Sequence, residues 1–195
     1  MYNYEMPHRS MTTLEAGFDH VAASPADDGV VTLIVRRPTV GERETLETGE
    51  LSVAEGLVGD NWQHRGSART EDGSAHPEMQ LNVMNSRAAD LVVGSPERRS
   101  LTGDQLLVDL DLSLENLPPG TRLALGSAVI EVTSVPHTGC DKFVARFGLD
   151  ATKFVNSERG RQLRLRGLNA KVVEAGTIRV GDTVRKVPVG APIQG

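Results

Sequence analysis

Between Gln105 and Val135 the chain sets out three short apolar runs, Leu106–Leu110, Thr121–Leu125 and Ala128–Val135, divided by Pro118-Pro119-Gly120 and by Gly126. Strands this short, joined by turns this close, point to a barrel. The tail repeats the idea with Lys171-Val172-Val173, Thr177-Ile178-Arg179-Val180, the turn Gly181-Asp182, and Thr183-Val184. Upstream, Val30-Val31-Thr32-Leu33-Ile34-Val35 is β-branched and apolar almost throughout, which predicts a strand buried on both faces and ended by Arg36-Arg37-Pro38. Met79 to Met84 alternates enough for another strand, and 20 glycines and 10 prolines among 195 residues suit a turn-rich chain better than a helical one. The expected fold is mainly β, a mixed-strand barrel with a few short peripheral helices.

At this length one hydrophobic core suffices. Residues 1–28 lack clear periodicity and are expected to form an N-terminal arm that packs on the domain or stays mobile. The domain itself is expected over 29–187, with 188–195 as a tail. Glu50 to Gly56 fits a short helical turn stopped by Gly56, Gly59 to Gly66 reads as a loop, and Ala68 to Pro77 as an exposed polar segment. Ser86 is placed to cap a helix over Arg87 to Val93. Phe143, Val144 and Phe147 recur at helical spacing, so a helix or helix pair interrupts the strands between Asp141 and Gly160.

A formal net charge of -5 gives no general reason to bind polyanions, and nucleic acid is not an expected partner. No apolar run approaches the roughly 20 residues of a membrane span, and Met1 to His20 lacks the basic-then-apolar layout of a secretory signal. The single cysteine cannot form an internal disulfide. A reducing cytoplasm is the expected setting. Paired-cysteine and His-Glu-x-x-His metal spacings, the Walker glycine loop and the Gly-x-Ser-x-Gly elbow are all absent from the sequence.

The segment Val135-Pro136-His137-Thr138-Gly139-Cys140-Asp141-Lys142-Phe143 places a strand end, a histidine, a glycine and the only cysteine just before a predicted helix. A thiol at a helix N-terminus faces unpaired N–H groups and the positive end of the dipole. With His137 and Lys142 beside it, the thiolate should be favoured, the form that attacks sulfur or ligates metal. A lone cysteine is ordinarily a small buried hydrophobe, but neighbours that are Gly, Asp and Lys do not resemble a core strand. Two other readings stand beside a working thiol: a binding module for a small anion in which Cys140 only lines the pocket, and a Cys-His hydrolase with His137 as base. The hydrolase ranks last, because residues three apart across a turn need not face one another. His64-Arg65 could present a cationic rim to an anion or form a solvated turn with Trp62 in the core. Arg98-Arg99 and the run Arg159, Arg161, Arg164 and Arg166 supply guanidinium forks suited to phosphate or carboxylate.

Taken in order, Gly59-Asp60 with His64-Arg65-Gly66, Leu101-Thr102-Gly103-Asp104-Gln105, Thr138 to Phe143, Arg166 to Val172 and Gly176 to Asp182 resemble the MOSC family, named for the C-terminal domain of molybdenum cofactor sulfurase. The resemblance runs from about Gly29 to Val187. It implies a mixed-strand β-barrel with a functional cysteine at one rim, here Cys140, which carries sulfur or, where molybdenum is bound, ligates the metal. It implies a sulfurtransferase or a molybdenum-dependent reductase of N-hydroxylated compounds, with the molybdenum cofactor (molybdopterin) as candidate ligand and a cysteine desulfurase or redox protein as candidate partner. Lys142, Arg166, Arg65, His64 and His137 are then the candidates for holding an anionic cofactor. Pyridoxal phosphate is associated with the family through the large eukaryotic sulfurases, whose separate pyridoxal-phosphate domain this chain lacks, so none is expected to bind here. The chain departs from the family in reading Gly103-Asp104-Gln105 where relatives often have Gly-Glu-Asn, and His64-Arg65 where many have two histidines.

Overall fold

The computed structural model describes residues 8–188. In chain order these form α1 (Met11–Glu15), α2 (Phe18–Ala22), β1 (Gly29–Arg36), β2 (Glu44–Leu46), β3 (Thr48–Ser52), β4 (Gly56–Leu57), β5 (Leu81–Asn85), α3 (Ser86–Val93), β6 (Leu106–Asp109), β7 (Arg122–Leu125), β8 (Ala128–Val132), α4 (Asp141–Asn156), α5 (Glu158–Gln162), β9 (Leu168–Glu174), β10 (Gly176–Arg179) and β11 (Thr183–Lys186). Three short 3-10 segments lie at Asn61–His64, Pro77–Met79 and Pro96–Thr102.

The order β1-β6-β5-β9-β8-β7-β11 returns to β1 and closes a barrel, with β2 as an extra strand on β1. Among the described residues only β5 and β6 run parallel. A parallel pair needs a crossover, and α3 with the 3-10 turn Pro96–Thr102 supplies it. Closure removes the exposed edges that strands of four or five residues would otherwise leave. A second, three-stranded sheet, β10-β3-β4, lies against the barrel core through Leu51, Leu57 and Ile178.

Alternation along the strands divides the apolar residues between two cores. Leu81 and Val83 of β5, Leu106 and Val108 of β6, and Val31 and Ile34 of β1 fill the barrel. Met84, Leu107 and Leu33 point the other way, into a layer shared with Leu14, Val21, Val92, Phe143, Phe147 and Phe154. Strands covered on both faces read as continuous apolar runs, which is why the period-2 signal was weak here. β1 is not covered along its whole length, since Val30 is 39% exposed.

Local differences from the sequence reading have local causes. Glu50 to Gly56 is not a helical turn: Leu51 sits opposite Leu57 in the β3–β4 pair, and β10 holds the other side of β3. The cap of α3 is Asn85, whose Oδ1 accepts from the backbone N–H of Arg87 and Ala88, and Ser86 is the first helical residue. Gly59 to Gly66 holds a 3-10 turn. Residues 8–28 carry α1 and α2, with Leu14 and Val21 in the second core and the Met11 N–H donating to Asp150 Oδ2 at 3.0 Å. The tail beyond residue 188 lies outside the described residues.

Candidate functional site

Cys140 is the N-cap residue of α4 and is exposed; its backbone carbonyl accepts from Phe143 and Val144. A straight helix as long as α4 would set its ends about 24 Å apart. Instead Asn156, the last helical residue, clasps Gly139, the residue before Cys140: Gly139 N donates to Asn156 Oδ1 at 3.0 Å and Asn156 Nδ2 donates to Gly139 O at 3.2 Å. The helix folds back at Gly148, whose φ of 87° and ψ of 172° belong to a region open essentially to glycine alone. A β-carbon at Gly139 would lie 3.2 Å from both Asn156 Nδ2 and Thr152 Cγ2, so glycine there lets the loop sit directly on the helix. The residue before the thiol is thus held by the far end of the helix that the thiol caps.

Cys140 lines a cavity of about 880 Å³. Two fully or almost fully buried carboxylates hold two of the arginines on its wall, Arg37 and Arg166. Asp60 accepts from Arg37 Nε and Nη2, each at 2.8 Å, and from the Arg37 and Trp62 backbone N–H groups, which joins the end of β1 to the Asn61–His64 turn. Asp104 accepts from Arg166 Nη1 through both oxygens at 2.9 and 2.8 Å and lies 3.1 Å from His137 Nε2. Arg166 also donates to Thr102 O and lies 5.0 Å from the centre of the Phe143 ring. These pairs neutralise Arg37 and Arg166 and hold them rigidly.

Arg43, Arg65, Arg146 and Lys142 also line the cavity, and no carboxylate among the described residues pairs with any of them. Asp141 is the one acid on the wall among the described residues. The crowding registers on the cations. Burial and then the charges of Arg146 and Arg37 lower the pKa of Arg43, against Asp60. Burial and then Arg37 lower that of Arg65, against the opposing influence of Asp60 and Cys140, which places Arg65 within electrostatic reach of the thiol. Arg43 Nε, Asn61 Oδ1 and Arg166 Nε are buried with no hydrogen-bond partner among the described residues. Buried polar atoms are normally satisfied, and all three belong to residues on this cavity.

Of the residues expected from sequence, Cys140, Lys142, Arg65, Arg166 and His137 share this cavity. His64 does not: it is exposed outside it, because the 3-10 turn sets Asn61 and Arg65 on the cavity side and leaves His64 on the other. His137 is bonded to Asp104, and no hydrogen bond joins it to Cys140. Arg98 and Arg99 are spent on the Val93 and Arg146 carbonyls and on Asp90, Arg159 lies over Phe18, and Arg161 and Arg164 line a different cavity. Sequence reading passed over Arg37, Arg43, Arg146 and Asn61. Arg37 was legible only as the end of a strand; Arg43 and Arg146 are far apart in the chain and share a cavity only through the fold.

A closed mixed barrel with one thiol on the wall of an arginine-lined cavity defines the class of the molecule. Residues 74–185, more than half of the chain, match the family model described as the MOSC domain, and the chain belongs to that family. The match includes Asp104, Cys140, Lys142, Arg146 and Arg166, whereas Arg37, Arg43, Asn61 and Arg65 precede it. The fold is similar to that of the YuaD protein from Bacillus subtilis, with a TM-score of 0.58 and 14% identity over 80% of this chain and 94% of that one. It is also similar to YiiM from Escherichia coli, with a TM-score of 0.53 and 19% identity over 84% of this chain and 72% of that one. No curated protein matches the chain. Among the described residues no helix is long and apolar enough to cross a membrane.

Proposed function

We propose that this MOSC protein holds an anionic cofactor, the molybdenum cofactor, in the arginine-lined cavity, with Cys140 as the protein's thiolate ligand to the metal. The observation that carries the reading is that the only thiol opens onto a cavity where four cations lack carboxylate partners among the described residues. The residues present fit such a group. Arg43, Arg65, Arg146 and Lys142 suit phosphate and other anionic oxygens, and the orphaned Asn61 Oδ1 suits an N–H donor. Among the described residues no three His, Cys, Asp or Glu side chains are grouped to hold an ion, so a metal held at Cys140 would need its other ligands from its cofactor. When bound, the cofactor supplies two-electron redox chemistry of the kind that reduces an N-hydroxylated compound. The chain's own part is to fix Cys140 through the Gly139–Asn156 clasp and to hold Arg37 and Arg166 immobile through Asp60 and Asp104.

The test is the molybdenum and pterin content of protein made in a host that synthesises the cofactor. The expectation is that both copurify with the wild type, that Cys140→Ala loses molybdenum, and that Arg43→Ala and Arg65→Ala lower both. The exposure of Cys140 favours a second reading, persulfide transfer. In it the Cys140 thiolate attacks the outer sulfur of a desulfurase persulfide and the desulfurase thiolate leaves. A wild type without metal or pterin that gains a reducible adduct of roughly 32 Da from a desulfurase and cysteine selects that reading.

A further inference from the structure

A second cavity, of about 490 Å³, shares only His137 and Arg166 with the first. Its walls differ in kind from those of the arginine-lined cavity. Leu114, Pro119, Val135, Pro136, Val155 and Leu168 supply apolar surface from the segments flanking β7, β8 and β9 and from the end of α4. The polar groups on it are few: Thr133, whose hydroxyl is engaged with the carbonyls of Glu78 and Asn169; Ser134 and Thr138, whose hydroxyls make no hydrogen bond among the described residues; His137, bonded to Asp104; and the guanidinium groups of Arg161, Arg164 and Arg166. Arg164 is held by the Leu117 and Leu112 carbonyls and Arg166 by Asp104. Arg161 is exposed and has no side-chain partner among the described residues. Leu114 is 48% exposed, a large apolar side chain left in water beside the opening.

A mainly apolar hollow with a few convergent polar groups and a volume in this range is the usual form of a small-molecule site. From these residues we infer a second ligand site, for a molecule with an apolar, ring-sized body and one anionic head, a carboxylate or sulfonate, that meets Arg161 and the Ser134 and Thr138 hydroxyls. The site is independent of the cofactor reading. His137 and Arg166 line both cavities, and Thr138 lies two residues before the thiol.

The experiment is a fluorescence titration of the full chain with anilinonaphthalene sulfonate, an apolar anion, and with its uncharged relative phenylnaphthylamine. Both should bind saturably to the native protein. Ser134→Phe, at an exposed position on the cavity wall, should weaken both by about tenfold or more by filling the hollow. Arg161→Gln should weaken the sulfonate alone, by about three- to fivefold, as expected for a solvent-reached ion pair. Cys140→Ala and Arg65→Ala should leave both unchanged. Unsaturable binding, binding indifferent to Ser134→Phe, or binding lost in Arg65→Ala would overturn the proposal, the last by placing the probe in the arginine-lined cavity. Far-ultraviolet circular dichroism and the unfolding midpoint of each variant separate loss of the site from loss of the fold.

Discussion

Asp104 has no exposed surface, yet two side chains of the candidate site depend on it. Burial alone would raise its pKa, but the Arg166 charge and the His137 contact outweigh burial and hold the carboxyl below its ordinary 3.8. Burial, and then the Arg166 charge, push the His137 imidazole below its ordinary 6.5 against the pull of Asp104. Each group therefore binds fewer protons folded than unfolded. Stability falls as pH drops, first through His137 below about 6.5 and then through Asp104 below about 3.8. Thermal unfolding should show a lower midpoint at pH 5 than at pH 7, and His137→Gln should flatten that difference. Asp104→Asn leaves the Arg166 charge buried without its counter-ion and should cost about 3–5 kcal/mol in urea unfolding at neutral pH; a loss under about 1 kcal/mol would mean that the pair is not buried as described. This pair also marks how far the site could be read from sequence. Cys140 and its neighbours stood together in the chain and could be named, whereas Asp104 appeared only within a segment that resembles the family and departs from its usual residues there. Its partners, 33 and 62 residues away, are set by the barrel.

At the scale of elements, α4 shows how a packing requirement overrides simple periodicity. Phe143 and Phe147 lie one turn apart, and Ala151, Phe154 and Val155 face the same second core, but no straight helix could also return Asn156 to Gly139. Gly148 resolves the conflict with a backbone shape that a β-carbon resists, and such a β-carbon would also meet His8 Nδ1 at 2.6 Å. Gly148→Ala should therefore cost about 1–3 kcal/mol in urea unfolding, and Cys140 should become more reactive toward alkylation as its loop loosens; an unchanged midpoint would contradict the fold-back. The strands of the barrel were legible because turns and apolar runs are local signals. The β3–β4–β10 sheet was not, since Thr48 to Leu51 pairs with Gly176 to Arg179 across more than half the chain. The Asn85 cap was missed because the serine after it looked as suitable, and only the backbone angle at Asn85, φ −67° and ψ 130°, decides between them.

Across the whole molecule the charge is unevenly placed. The formal net charge is -5, while the wall of the larger cavity gathers Arg43, Arg65, Arg146 and Lys142 beyond the two neutralised arginines. An acidic exterior with a cationic hollow favours a small anion over a polyanionic strand, because only the former can enter. The barrel makes this arrangement by bringing the β1–β2 loop, the 3-10 turn after β4 and the start of α4 to one end. Cys140 lines this cavity, and the proposed function makes the two one site. The most direct test is the rate at which iodoacetamide alkylates the single thiol, followed by intact mass, in cofactor-free protein and in protein loaded with pterin-bound molybdenum. The expected result is rapid single alkylation of the free protein and at least about tenfold protection when the cavity is filled. Equal rates in the two forms would place the thiol outside the site and contradict the account.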